Sequence, residues 1–137
     1  MSAKKVAIIS PGDMGHSVGR TLGLHGIDVM TCLAGRSDRT WKLAAQGGFR
    51  DVPTLEAMVS EADLVLSIIP PAAALDTARQ VAQAMVKEGK TPPYADCNAV
   101  SPETTKRIGK EITCIGGDYI DGGIIGLPPG RGQPTRF

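Results

Sequence analysis

The residues best suited to chemistry lie near the start of the chain, where the apolar run Val6-Ala7-Ile8-Ile9 meets Ser10-Pro11-Gly12-Asp13-Met14-Gly15. Set against the Gly-x-Gly-x-x-Gly pattern that cradles a dinucleotide pyrophosphate, Gly12 and Gly15 hold the second and third glycine positions, and Ser10 stands in the first. Gly12 lets backbone amides approach a phosphate. Gly15 lets the next helix pack close to the strands with its N-terminus toward the anion. A residue before proline favours extended backbone, so Ser10 can leave a strand without strain. The spacing therefore predicts that Ser10, Pro11, Gly12, Asp13, Met14 and Gly15 form the pyrophosphate turn of a nucleotide site.

About 20 residues past such a turn, an NAD-specific domain carries an acid for the ribose hydroxyls and an NADP-binding one an arginine. Gly35 supplies no carboxylate here, and Arg36 follows it. Arg36, Ser37 and Arg39 are read as a 2′-phosphate pocket, which makes NADP the expected cofactor and NAD the alternative. Asp38 works against that pocket, since it either pairs with Arg36 or repels the phosphate. Further along, the Asn98 amide can both donate and accept hydrogen bonds near a nicotinamide ribose. Its other reading is a turn that starts the helix at Ser101. His16 and His25 have no serine, cysteine or carboxylate in a triad-like context and are read as surface or packing residues. Cys32, Cys97 and Cys114 are odd in number and lack CxxC spacing, so they are expected to be small buried hydrophobes and no metal is expected. Lys87, Lys90, Lys106 and Lys110 fall at helix ends or on polar faces, and no catalytic residue is assigned within this chain.

Positioning these groups takes short strands alternating with helices. Strands are expected at 6–9, 27–33, near Phe49, at 64–69, 94–97 and 118–121. Between them, Met14, Val18 and Leu22 recur on a helix that Gly26 would close, and Gly15, Gly19 and Gly23 line one of its faces for close helix–sheet approach. A second helix runs from a Ser37 cap to about Gln46, where Gly47-Gly48 stops it. A third has Pro53 near its first turn and Leu55, Met58 and Val59 at core spacing. A fourth follows Pro70-Pro71 with Leu75, Ala78, Val81, Ala82 and Met85 on one side, and a fifth opens at Ser101-Pro102-Glu103. Crossovers long enough to hold a helix point to an α/β fold with a doubly wound, mostly parallel Rossmann sheet and helices on both faces.

Composition agrees with a single domain of 137 residues. Fifteen basic residues against 14 acidic ones leave a net charge of +1, so no field of either sign argues for nucleic acid or an anionic membrane. Aromatics are 4% of the chain, beside 17 glycines and 10 prolines, which disfavours an aromatic-rich β-sandwich. The longest apolar run is far short of the roughly 20 residues of a membrane helix. Four apolar residues before Ser10 are too few for a secretory signal, so a cytoplasmic location is expected.

These motifs resemble those of the β-hydroxyacid dehydrogenase and 6-phosphogluconate dehydrogenase superfamily, whose first turn reads Gly-Leu-Gly-x-Met-Gly. Met14-Gly15 and Val18-Gly19 match that turn and its helix. Gly35-Arg36-Ser37, Ile69-Pro70-Pro71, Asp96-Cys97-Asn98-Ala99-Val100-Ser101-Pro102 and Asp121-Gly122-Gly123-Ile124-Ile125-Gly126-Leu127-Pro128-Pro129 look like the phosphogluconate-dehydrogenase-like oxidoreductase branch. The resemblance implies an NADP-dependent oxidoreductase that moves hydride between NADP(H) and a small hydroxyacid-like, carbonyl or imine substrate. It places Ile69, Pro70 and Pro71 beside the cofactor ribose, and Asp121, Gly122, Gly123, Ile125 and Gly126 in a substrate loop. Ile125-Gly126-Leu127 stands where the superfamily has Ser-Gly-Gly, so the hydroxyl that helps hold a substrate carboxylate is missing. Residues 1–121 are then the cofactor domain, and 122–137 a substrate-loop and linker region. The family's catalytic lysine would lie in a helical domain beyond Phe137 that completes the cleft and a homodimer, leaving this chain inactive alone. The rival reading is a non-catalytic dinucleotide-sensing module, because fold alone does not fix function.

Overall fold

A computed structural model of the chain describes residues 4–9, 13–32, 38–69, 71–98 and 100–122. Six strands form one sheet: β1 (Lys5–Ile9), β2 (Asp28–Thr31), β3 (Arg50–Asp51), β4 (Leu64–Ser67), β5 (Tyr94–Asp96) and β6 (Tyr119–Asp121). Five helices connect them: α1 (Asp13–Leu24), α2 (Asp38–Gly47), α3 (Leu55–Glu61), α4 (Ala74–Glu88) and α5 (Pro102–Thr113), with a short 3₁₀ turn at Pro71–Ala73 ahead of α4. Every neighbouring pair is parallel, and the order is β3-β2-β1-β4-β5-β6. This is the doubly wound arrangement that the alternation predicts.

The central strands are apolar on both faces because both are covered. Ala7 and Ile9 of β1 join Met30, Val65 and Tyr94 in a core completed by Met58, Met85, Ile108 and Ile112 from α3, α4 and α5. Val6 and Ile8 point the other way, toward Val18 of α1, Val29 and Phe49. Each large apolar side chain buried in this way contributes roughly 1.5–3 kcal/mol. The two-residue edge strand β3 needs more than its ladder. The Arg50 guanidinium spans Asp28 of β2 at 3.0 Å and Glu61 of α3 at 3.1 Å, fastening β3 to both layers.

Sequence punctuation holds at most ends. Gly26 (φ +83°) closes α1 and Gly48 (φ +72°) follows α2, both in the left-handed region that glycine enters without penalty. Ser101 caps α5, its Oγ accepting the Thr104 N–H at 3.2 Å with Pro102 in the first turn. Several expectations shift. Strands β2, β4, β5 and β6 are shorter than expected: β2, β4 and β5 each stop at a polar residue, Thr31, Ser67 and Asp96, and β6 starts one residue later, at Tyr119. Pro53 stands just ahead of α3, near its first turn as expected, and Thr54 is the cap, accepting the Ala57 N–H at 3.0 Å. The proposed Ser37 cap of α2 lies outside the described residues. Of the cysteines, Cys32 is buried, Cys97 half-buried and Cys114 exposed, so the expectation of three buried thiols fails at Cys114, which sits at the solvent-facing end of α5. Gly23 does not share in close helix packing, for a Cβ there would meet nothing within 4 Å.

Candidate functional site

In a parallel α/β sheet, ligands bind beyond the carboxyl ends of the strands. Three polar side chains among the described residues are essentially without exposure: Thr31 and Ser67 at 0% and Asp96 at 1%. Each is the last residue of its strand, β2, β4 and β5 respectively. Register aligns Ile9, Ser67, Asp96 and Asp121 in one row across β1, β4, β5 and β6. The apolar core therefore ends at a polar rim along one edge of the sheet. Only residues 10–12 separate the end of β1 from Asp13, so the N-terminus of α1, with its unpaired N–H groups and positive dipole end, opens at that same edge.

Asn98 organises the rim. Its Oδ1 accepts the Ile69 N–H at 2.7 Å, and its Nδ2 donates to Ser67 Oγ at 3.1 Å, so one amide spans the ends of β4 and β5. The Asn98 backbone N–H donates to Asp96 Oδ1 at 2.8 Å. On the other side of β5, the Gly122 N–H donates to the Asp96 carbonyl at 2.8 Å, and a Cβ on Gly122 would sit 3.4 Å from Cys97 Sγ.

Electrostatically the rim favours neutral groups. Burial raises the Asp96 carboxyl above its ordinary range, against the two hydrogen bonds from Asn98, and Asp121 raises it further. Its Oδ2 is buried without a partner, as is Thr31 Oγ1. Burial also pushes the Cys97 thiol up to about 11 and the Tyr119 phenol to about 12, with Asp96 and Asp121 adding to both. Cys97 is thus a thiol at neutral pH and no nucleophile.

The sequence-derived residues distribute as follows. Asp13 and Met14 open α1 and Pro71 opens the 3₁₀ turn, with their side chains outside the described part. Gly15 is buried on α1, where a Cβ would lie 3.5 Å from Ile8 Cγ2 and 3.7 Å from the Ile68 carbonyl. Ile69 and Asn98 meet at the β4–β5 rim. Asp121 ends β6 exposed, and Gly122 follows it half-buried. Arg39 lies exposed in the first turn of α2 beside Asp38. Ser10, Pro11, Gly12, Arg36, Ser37, Pro70, Gly123, Ile125 and Gly126 fall outside the described residues. Sequence reading missed Thr31, Ser67 and Asp96; Thr31 and Ser67 stand inside apolar runs that continue past them, so nothing marked them as strand ends. No group of three or more potential metal ligands occurs among the described residues, and no described helix is long and apolar enough to cross a membrane.

A surface cavity of about 760 Å³ opens at the opposite edge, between Lys4, Lys5, Asp63 and Lys90. There α3 and α4 present their carbonyl ends, the wrong end of the dipole for a phosphate.

Known proteins agree with this geometry. Residues 1–110 match the family model described as acetohydroxy acid isomeroreductase, NADPH-binding domain. The chain is 31% identical over 120 residues to the ketol-acid reductoisomerase (NADP(+)) of Enterobacter sp. (strain 638), covering 84% of this chain and 24% of that protein. An uncharacterised 28.5 kDa protein of Methanothermus fervidus is 35% identical over 102 residues, covering 73% of this chain and 37% of its own. A solved conserved protein of unknown function, described as structurally similar to 3-hydroxyacid dehydrogenases, superposes with a TM-score of 0.82 at 27% identity, over 96% of this chain and 47% of that one. An imine reductase from Pseudomonas sp. shares the fold at a TM-score of 0.74 and 20% identity, over 93% of this chain and 43% of that one. The chain spans less than half the length of each of these proteins. With a matching family model over most of its length and a dinucleotide-type edge in its fold, the chain belongs to the acetohydroxy acid isomeroreductase NADPH-binding domain family.

Proposed function

We propose that this chain is the NADP(H)-binding domain of an oxidoreductase acting on a small hydroxyacid-like, carbonyl or imine substrate. The observation that carries the reading is the polar rim: Thr31, Ser67 and Asp96, all but unexposed, each end a strand at the edge where α1 presents its N-terminus. That edge fits a dinucleotide. Gly15 sits in the first turn of α1 with only ordinary contacts around it, and Thr31 Oγ1 and Asp96 Oδ2, both buried without a hydrogen-bond partner, would face the adenosine and nicotinamide halves respectively. Ser10, Pro11, Gly12, Asp13, Met14 and Gly15 would hold the pyrophosphate. Arg36, Ser37 and Arg39 would hold the 2′-phosphate, and Ile69, Pro70, Pro71 and Asn98 the nicotinamide half. Bound there, the nicotinamide supplies or accepts a hydride.

Asp121, Gly122, Gly123, Ile125 and Gly126 are proposed as the substrate side of the cleft. Residues 1–121 would act as the cofactor domain and 122–137 as the passage to a further helical domain. A lysine in that domain would handle the proton on the reacting oxygen. A cytoplasmic location and a homodimer of the full-length protein complete the proposal. The relatives' length supports the two-domain reading, since each of those proteins is more than twice as long as the portion this chain covers.

Titration of the chain with NADPH, followed by amide NMR, tests the site. Resonances of Gly15, Ile69, Cys97 and Asn98 should move in a saturable way, while those of Lys4, Lys5 and Lys90 at the amino edge stay in place. No binding, or shifts confined to the amino edge, would refute it.

A further inference from the structure

A doubly wound sheet binds one mononucleotide on each side of the point where strand order reverses, which here lies between β1 and β4. With the Arg36 motif following β2, the adenosine half falls to the β1-β2-β3 side. The nicotinamide half then falls to β4, β5 and β6. The carboxyl ends of β4 and β5 are joined by more than the sheet ladder. The Cys97 N–H donates to the Ser67 carbonyl at 3.0 Å, and beyond it the Asn98 side chain reaches back to both Ser67 Oγ and the Ile69 N–H. An asparagine side chain on a turn has several rotamers, and here it adopts one that reaches both partners. What fixes the turn beneath it is Asp96, whose Oδ1 takes the Asn98 N–H and so sets the direction in which the chain leaves β5. Asp96 does this while 1% exposed and with Oδ2 unpartnered, a costly position for a carboxyl group.

We propose that Asp96 is a positioning residue for the nicotinamide half of the cofactor: it holds the Asn98 backbone so that the Asn98 amide can clasp Ser67 and Ile69, fixing the two strand ends that border that half. This inference rests on the dinucleotide reading above. Asp96 itself touches no reacting atom; it acts through Asn98. Its influence should therefore be felt by a ligand that spans the whole site and not by one that occupies the adenosine side alone.

Calorimetric titration of the 137-residue chain with NADPH and with 2′,5′-ADP separates the two halves. Asp96→Ala should weaken NADPH binding about tenfold, the loss expected when hydrogen bonds at the site are loosened, and leave 2′,5′-ADP within about twofold. Asp96→Asn keeps an acceptor for the Asn98 N–H and should restore NADPH affinity. Ser67→Ala removes the other anchor of the amide and should move the ratio of the two affinities in the same direction as Asp96→Ala. A parallel loss of both ligands, an unchanged ratio, or failure of Asp96→Asn to rescue overturns the proposal. If Asp96→Ala does not fold, the Ser67→Ala ratio decides alone. A wild-type chain that binds neither ligand overturns the dinucleotide reading itself, whereas wild-type binding with an unaltered ratio in the variants overturns only the role of Asp96.

Discussion

Two aspartates show how the same side chain acquires opposite electrostatic meaning. Asp63 is exposed before β4, and its Oδ2 accepts the N–H groups of Lys4 and Lys5, both at 3.0 Å, so those bonds hold its carboxyl below the usual range. Its contribution is present once it is ionised and is lost as acid protonates it. Asp96 is buried, and burial holds its carboxyl above the usual range despite Asn98, with Asp121, Tyr94, Tyr119 and Cys97 the titratable groups around it. Below the carboxylate range, folded and unfolded chains both carry the proton and Asp96 costs the fold nothing. As pH rises past the ordinary carboxylate value the unfolded chain ionises while buried Asp96 keeps its proton, so a penalty on the fold grows until the elevated folded value is passed and is constant above it. Asp96→Asn, neutral throughout, should therefore melt higher than wild type at neutral pH, and the gap should close as pH falls to about 4. Thermal denaturation followed by circular dichroism at several pH values measures it, and a gap independent of pH would contradict the assignment. Asn98 was legible in the sequence as an amide just past an apolar strand. Asp96 was not, because nothing in a linear run distinguishes a polar residue that closes a strand from one that begins a loop.

At the scale of elements, hydrophobic periodicity carried the alternation of strands and helices, and glycines marked the ends of α1 and α2. What it left out is where glycine serves packing. The Gly15, Gly19 and Gly23 stripe reads as a uniform face pressed to the sheet, but its members meet different surroundings. Gly15 lies over Ile8, Gly23 faces open space, and a Cβ on Gly19 would overlap the Phe49 ring. Phe49, just ahead of β3, inserts between α1 and α2, and Gly47 makes room from the other side, where a Cβ would fall 2.6 Å from the ring and 2.9 Å from the His16 carbonyl. An aromatic side chain is thus wedged between two helix glycines 28 residues apart in sequence, a relation that only the fold reveals. Gly19→Ala should destabilise by about 1–3 kcal/mol through overpacking. Gly23→Ala, on the same helix, should be neutral or stabilise by up to about 1 kcal/mol, since helix propensity alone then decides. Urea denaturation of both variants separates the two glycines, and equal effects would show that the Phe49 contact does not matter.

For the whole molecule, the alternation of strands with helix-length crossovers made a doubly wound parallel sheet legible in the sequence, whereas the order β3-β2-β1-β4-β5-β6 comes from the fold. On the proposed reading, the dinucleotide preference would be set by the stretch between β2 and α2, where Arg36 and Ser37 stand in the sequence. Asp38, the residue that argues against a 2′-phosphate there, opens α2, and a carboxylate in the first turn of a helix is favoured by the dipole whatever binds nearby. That gives Asp38 a reason to be present without repelling the cofactor. A charge-assisted hydrogen bond from Arg36 to the 2′-phosphate is worth roughly 1.5–3 kcal/mol, or about a tenfold to hundredfold preference for NADPH over NADH. Arg36→Ala should erase most of that preference and leave NADH affinity nearly unchanged, because the pyrophosphate would be held separately, at the N-terminus of α1. Calorimetry with both cofactors on wild type and variant decides it. Equal affinities in the wild type would remove the 2′-phosphate pocket and make Asp38 the group that sets cofactor choice.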